Sequence, residues 1–405
     1  MVAEYLVVKS HIFLLLGYIA VVAGADIIPS GVVIAIDTGE VNRLMLDNPT
    51  NEKISDEAKG EGFAELKGQP VHLPSGAPNY LVAIVHGLSI DDGRLVVTHL
   101  PTGAVTLLPE VDGIPYDPVW APNGLGILFR VGDQLFFFNG RQKRLDRLAD
   151  DLSFSFGARG KSYAFSSDGR WVAFARHNAI QIFSIDEFGT FSRRNQVSLP
   201  DGAHFSQLLW AVDNHHLVIL VNSSDGLQNQ LVWLDLPAQK AWTQEADKVI
   251  GLLGWDSPTG GLVVIYSDPE RIGDEAAIFQ SSGEIQKLRI AEEDEAGELV
   301  VAYRSMQHEV VAILCTEDLG DPMQLGVLPP GAAPARPWLQ NFTRLAELSL
   351  SANGNWATFV DQSPLESTGE SCGHIYIVPF GSEDAIRVLE AIPNSYCFST
   401  PVFRP

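Results

Sequence analysis

A bulky anchor recurs in this chain at a constant interval of 45 residues: Trp120, Phe165, Trp210 and Trp255. Each anchor ends a short apolar run and is followed by an Asp/Asn/Gly turn. The residues after the turn alternate with a period of two, which reads as paired strands. The unit is plainest over residues 162–186, where Asp168-Gly169 supplies the positive φ that a tight hairpin demands. One such unit cannot bury both of its faces, so it must pack against copies of itself. Further copies stand in phase at Ile27, His72, Tyr303 and Leu350, the last with its Asn353-Gly354 turn intact. A strand-and-turn period of roughly 40–45 residues belongs to radial β architectures.

The ends fit the same pattern. The chain stops at TPVFRP (400–405), which matches DPVWAP (117–122) and then lacks a continuation; residues 29–41, PSGVVIAIDTGEV, have the form of that missing continuation. The expectation is an all-β propeller of four-stranded blades, eight in number with seven as the alternative. The C-terminal strand, through Phe403, is expected to complete the N-terminal blade begun by Ile27 and so remove the open sheet edges.

The turns APNG (121–124), SSDG (166–169) and SANG (351–354) resemble those of the TolB-like relatives of the WD repeat. The resemblance covers nearly the whole chain after residue 25 in phase and implies a β-propeller. It carries no catalytic residue with it.

Composition agrees with a ring of repeats. Thirty-six Gly and 24 Pro suit many turns, and an apolar fraction of 46% can fill the layers between blades. Residues 1–25 differ in kind: Lys9 precedes the uncharged run 12–25, and Ala23-Gly24-Ala25 is a small-x-small cleavage pattern. This reads as a secretory signal, with an uncleaved anchor as the alternative. The expectation is therefore an exported protein (periplasmic, cell-surface or secreted), with residues 26–405 forming one propeller domain, as a monomer. In such a compartment a cysteine pair oxidises. Of Cys315, Cys372 and Cys397, the last two fall on connections that emerge on one face, so Cys372–Cys397 is the expected bridge.

A formal charge of −23 argues against nucleic acid, which needs a basic stripe. Between residues 136 and 200, however, bases outnumber acids. GARGKS (157–162) has Ser155 where a phosphate loop requires Gly, and it lies between two blades. Gly-x-Ser-x-Gly occurs once, as GESCG (369–373), with no strand-to-helix pattern around it. His215 and His216 are strand neighbours that point to opposite faces and do not share a metal. No catalytic residue, metal ligand set or cofactor is assigned, and His72 is the one polar anchor.

Two readings follow. The first is a non-enzymatic propeller that binds a protein, peptide or glycan, with a basic partner favoured. The second is a hydrolase or lyase working in the central channel. The binding reading rests on long connections placed on one face of a rigid scaffold. Those connections carry Asp268, Glu270, Asp274, Glu275, Glu292, Glu293, Asp294, Glu295, Glu317, Asp318, Asp321, Glu366 and Glu370.

Overall fold

A computed structural model describes residues 66–404, apart from 76, 88–92, 154–161, 200–202, 223–228, 257–259, 268–273, 281–283, 288–299, 305–308, 315–323, 329–335, 340–341, 343–344, 352, 363–372 and 393–396. The described residues form seven four-stranded sheets, each a blade of a β-propeller. From the inner strand outward, blade 1 is Cys397–Phe403, Tyr80–His86, Gly93–His99 and Ala104–Leu107. Blade 2 is Pro115–Trp120, Gly126–Val131, Gln134–Asn139 and Arg144–Ala149. Blade 3 is Tyr163–Phe165, Trp171–Arg176, Ala179–Ile185 and Phe191–Ser198. Blade 4 is His204–Trp210, His216–Asn222, Asn229–Asp235 and Lys240–Glu245. Blade 5 is Val249–Asp256, Gly261–Ser267, Asp274–Phe279 and Ile285–Lys287. Blade 6 is Val300–Arg304, Glu309–Leu314, Gln324–Leu328 and Arg336–Leu339. Blade 7 is Leu345–Leu350, Trp356–Asp361, His374–Pro379 and Ile386–Leu389.

The cores lie between blades, not within them. Leu128 and Phe137 of blade 2 meet Tyr163, Phe165 and Phe174 of blade 3. Ala173, Ile180 and Ile182 on the other face of blade 3 meet Trp210, Leu217 and Ile219 of blade 4. Period-two alternation thus feeds two different cores from one strand.

The anchors explain their own spacing. The Trp120 indole donates to Val402 O at 3.2 Å, Trp210 to Ala164 O at 3.1 Å and Trp255 to Trp210 O at 2.8 Å. Each is therefore a buried or half-buried aromatic whose one polar atom is satisfied by the inner strand of the preceding blade. The turns are equally regular. In blades 3 and 7 a serine hydroxyl, Ser166 or Ser351, accepts the N–H of the Trp five residues on. That hydroxyl bonds an Asp or Asn oxygen two residues along, which itself accepts the N–H two residues further. Gly169 follows at φ 68°, and a Cβ there would lie 2.9 Å from Asn123 of blade 2. Asn123 and Ser167 bond the corresponding turns of the next blades at Gly169 and Asn214.

The expected eight units are corrected at the N-terminal end. His72 does not begin an inner strand. The strand after it, Tyr80–His86, pairs instead with Cys397–Phe403, Leu81 facing Phe403 and His86 facing Cys397. One inner edge accepts one strand, so Phe403 belongs to the blade that His72 was expected to open. The unit around Ile27 lies outside the described residues. Tyr303, by contrast, does sit on the inner strand of a complete blade.

Residues near His72 have another role. Gly68 N–H donates to Gly103 O at 3.1 Å, Gln69 N–H to Val388 O at 2.9 Å and Val71 N–H to Leu100 O at 2.9 Å. This strap crosses from the outer strand of blade 7 to the third-to-fourth strand turn of blade 1. Val71 is buried in the core those two blades share. Gly103 has φ 67°, and a Cβ there would stand 2.4 Å from Gly68 O.

Trp210 tests the anchor role. Its side chain is 5% exposed, so Trp210→Ala is expected to cost about 3–5 kcal/mol through the cavity and lost contacts. A urea midpoint shifted at unchanged slope reads this directly. A variant as stable as the parent rules the anchor role out.

Candidate binding face

Every blade sends its second-to-third strand loop, and its outer-to-next-inner connection, to one face. That face is not uniform. The loop runs from Val131 to Gln134 in blade 2 and from Arg176 to Ala179 in blade 3, both tight. It widens to His86–Gly93 in blade 1, Asn222–Asn229 in blade 4, Ser267–Asp274 in blade 5, Leu314–Gln324 in blade 6 and Asp361–His374 in blade 7. The opposite face carries the inner turns, with hydrogen bonds running from the turn of blade 2 to that of blade 3 and from blade 3 to blade 4.

Of the acidic residues expected on the long-loop face, Asp274 and Glu275 begin the third strand of blade 5, opposite Ser267 and Tyr266. Asp268, Glu270, Glu292, Glu293, Asp294, Glu295, Glu317, Asp318, Asp321, Glu366 and Glu370 lie outside the described residues. So do Cys315 and Cys372. Cys397 opens the inner strand of blade 1, and the backbone next to it, Phe398, exchanges hydrogen bonds of 2.9 and 3.0 Å with Gly373.

Several bases of blades 2 and 3 are paired with carboxylates where they stand. Arg130 pairs with Asp117 at 2.7 Å, Arg144 with Asp146 at 2.8 Å and Arg147 with Asp150 at 3.0 Å. Arg176 pairs with Asp151, which also holds His177 at 2.6 Å. Burial pushes the Asp151 carboxyl up, but the Arg176 hydrogen bond and charge, helped by His177, bring it below the ordinary carboxylate range.

Three clusters on this face were not visible in the sequence. In blade 2, Tyr116 is 40% exposed, with the Arg130 guanidinium 5.0 Å from its ring centre. The neighbouring Asp117 has φ 52°, a conformation that costs an L-residue about 1–2 kcal/mol. Its carbonyl accepts the buried Tyr163 hydroxyl at 2.6 Å. Burial first, and then the Asp117 charge, raise that phenol well above its usual pKa, so it stays a donor. Glu347, on the inner strand of blade 7, repeats the φ of 52°. In blade 1, His86 Nε2 lies 2.7 Å from Ser399 Oγ. In blade 7, the buried His374 stands opposite Asp361, and its Nδ1 accepts Ala391 N–H at 2.8 Å.

On the turn face, His216 Nδ1 lies 2.5 Å from Asp213, and the ring packs edge-on to Trp242. Among the described residues no group of three His, Cys, Asp or Glu side chains could hold a metal ion, and no helix is long and apolar enough to cross a membrane.

No protein-family model matches the chain, and no curated protein matches it in sequence. Solved structures match it in fold. An oligogalacturonate lyase from Vibrio parahaemolyticus is 11% identical over 79% of this chain and 90% of its own, with a TM-score of 0.53. A prolyl endopeptidase is 11% identical over 81% of this chain, with a TM-score of 0.54; the match spans 51% of that protein. TolB from Acinetobacter baumannii is 10% identical over 81% of this chain and 67% of its own, with a TM-score of 0.49. The neighbours thus include TolB and several enzymes, and what they share with this chain is the propeller.

His374 makes the blade 7 cluster sensitive to acid. Burial, with Arg387 adding to it, holds the imidazole pKa below its ordinary value, against opposing pulls from Asp361 and Glu390. The folded state therefore binds fewer protons than the unfolded one. Its contribution is complete above about pH 6.5 and is lost as pH falls below that toward the folded pKa. Thermal midpoints of the wild type should drop between pH 7 and 5. His374→Asn, whose side-chain oxygen can accept the same N–H without titrating, should flatten that part of the profile; an unchanged slope removes His374 as the cause.

Proposed function

We propose that the chain is a non-enzymatic binding propeller whose recognition surface is the long-loop face over blades 4 to 7, and that it takes a basic protein or peptide. The observation that carries this is the contrast between the two faces. The inner turns of blades 2, 3, 4 and 7 close with the same backbone hydrogen bond, and those of blades 2, 3 and 4 bond to one another, whereas connections on the other face range from two residues to a dozen around the ring. Loops that vary on a rigid scaffold are free to acquire recognition. The acids among them give that recognition a sign, and several bases on blades 2 and 3 (Arg130, Arg144 and Arg176) already have carboxylate partners. Long-range attraction of this kind speeds encounter and is screened by salt.

The test uses an Arg/Lys-rich peptide at several ionic strengths. Replacing Glu292, Glu293 and Glu295 by Gln and Asp294 by Asn should weaken association about tenfold at low salt and flatten its salt dependence. Glu187→Gln with Glu383→Gln, both exposed on the turn face, should change little. Equal losses in the two variants would leave only net charge and overturn the assignment of the face.

The channel reading, a hydrolase or lyase, has one observation in its favour. Ser399 and His86 have the spacing of a nucleophile and its base. Covalent labelling of Ser399 by a fluorophosphonate, lost in His86→Ala, is the result that would favour it over binding.

The reading includes export, supported by the apolar run ahead of Ala25, and a Cys372–Cys397 bridge. The Gly373–Phe398 pairing supports the bridge by bringing the backbone neighbours of both cysteines into register. Peptide mapping of the unreduced exported protein reads both, and a linkage through Cys315 excludes the pairing.

A further inference from the structure

Arg94 is 6% exposed and lies at the start of the third strand of blade 1, opposite Val85. Alternation along that strand sets Leu95 and Val97 toward blade 2, in the core with Ile127 and Phe129. Arg94, Val96 and Thr98 therefore share the other side, where Val96 joins the core made with blade 7. A guanidinium stays charged at any pH a folded protein meets. Here it is buried on the side of blade 1 that alternation turns toward the last blade.

Its hydrogen bonding is incomplete. Nη2 donates to Leu108 O at 3.1 Å, and Nε and Nη1 are buried without an acceptor. Among the described residues no carboxylate pairs with it. Arginine geometry makes the deficit specific. One hydrogen of Nη2 points to the Nε edge and the other to the Nη1 edge. Whichever edge the Leu108 bond takes, the remaining Nη2 hydrogen and the adjacent free nitrogen form an open two-point fork. A water molecule could accept from the fork but would leave the buried charge uncompensated, which is the larger cost. An anion satisfies both demands. Because Nε and Nη1 are each closed to bulk solvent, the anion must be small and enclosed.

We propose that Arg94 holds a chloride-sized monovalent anion as its internal counter-ion, and that this anion is part of the seam between blades 1 and 7. The site is independent of the acidic loops, and its failure would leave the proposed binding face untouched.

Bromide is the probe in the crystal. Wild-type protein refolded and crystallised in sodium bromide should show an anomalous peak beside the Arg94 guanidinium. A peak without anomalous signal is a water and overturns the proposal, as does empty density. In solution, protein dialysed from chloride into gluconate at equal ionic strength should lose thermal stability and recover it on titration with chloride. Arg94→Met should weaken halide binding at least tenfold and make the midpoint indifferent to the anion. If Arg94→Met does not fold, Arg94→Lys keeps the charge without the fork and should show the same loss of affinity. A crystal peak with no solution effect marks an adventitious ion only and also overturns the proposal.

Discussion

A four-stranded sheet with two apolar faces is insoluble alone, and this requirement governs the whole chain. Neither face of a blade can be buried by its own residues, so each blade is stable only between two others. The anchor tryptophans show how the requirement is met in detail. An indole brings the largest apolar surface available to one side chain, but it carries an N–H that must be paired once buried. Donating that N–H to the inner strand of the preceding blade turns packing into registration. A blade shifted along the seam by one residue would lose the hydrogen bond along with the packing.

The same logic divides the two faces. Inner turns are fixed by their own Ser–Asp or Ser–Asn hydrogen bonds and by contacts such as Asn123 with Gly169. A residue inserted there would break a contact with the neighbouring blade. Loops on the other face join strands whose register is already set, and they can lengthen at little cost, since loop closure entropy rises slowly with length. Variation accumulates where the fold does not resist it.

Much of this was legible in the sequence because the governing residues are local. Trp120, Trp210 and Trp255 and the turns after Phe165 and Leu350 mark the blades where they stand. The number of units was misread at His72 for a physical reason. The motif match of residues 400–403 with 117–120 identifies an inner strand, but which exposed edge it fills depends on residues more than 300 positions away. Arg94, His374 and the Ser399–His86 pair were invisible for a related reason. Their burial and partners are set by which blades meet, and no local pattern records that. The bases of blades 2 and 3 fall between: Arg147 with Asp150 is a local pair three residues apart, whereas Arg176 with Asp151 ties a strand of blade 3 to the connection leaving blade 2.

The strap at residues 68–71 gives the seam between blades 1 and 7 a second fastening. Inside, the C-terminal strand pairs with Tyr80–His86; outside, the strap pairs with Val388 and Leu100. Fraying normally begins at chain ends, where few contacts must break. In this chain both ends of the propeller converge on one joint, and the loss of either leaves the other holding. The first step of unfolding must then release two separated segments together. Contacts that must break before the transition state slow unfolding by as much as they stabilise the native state, so the strap lengthens the propeller's lifetime along with its free energy.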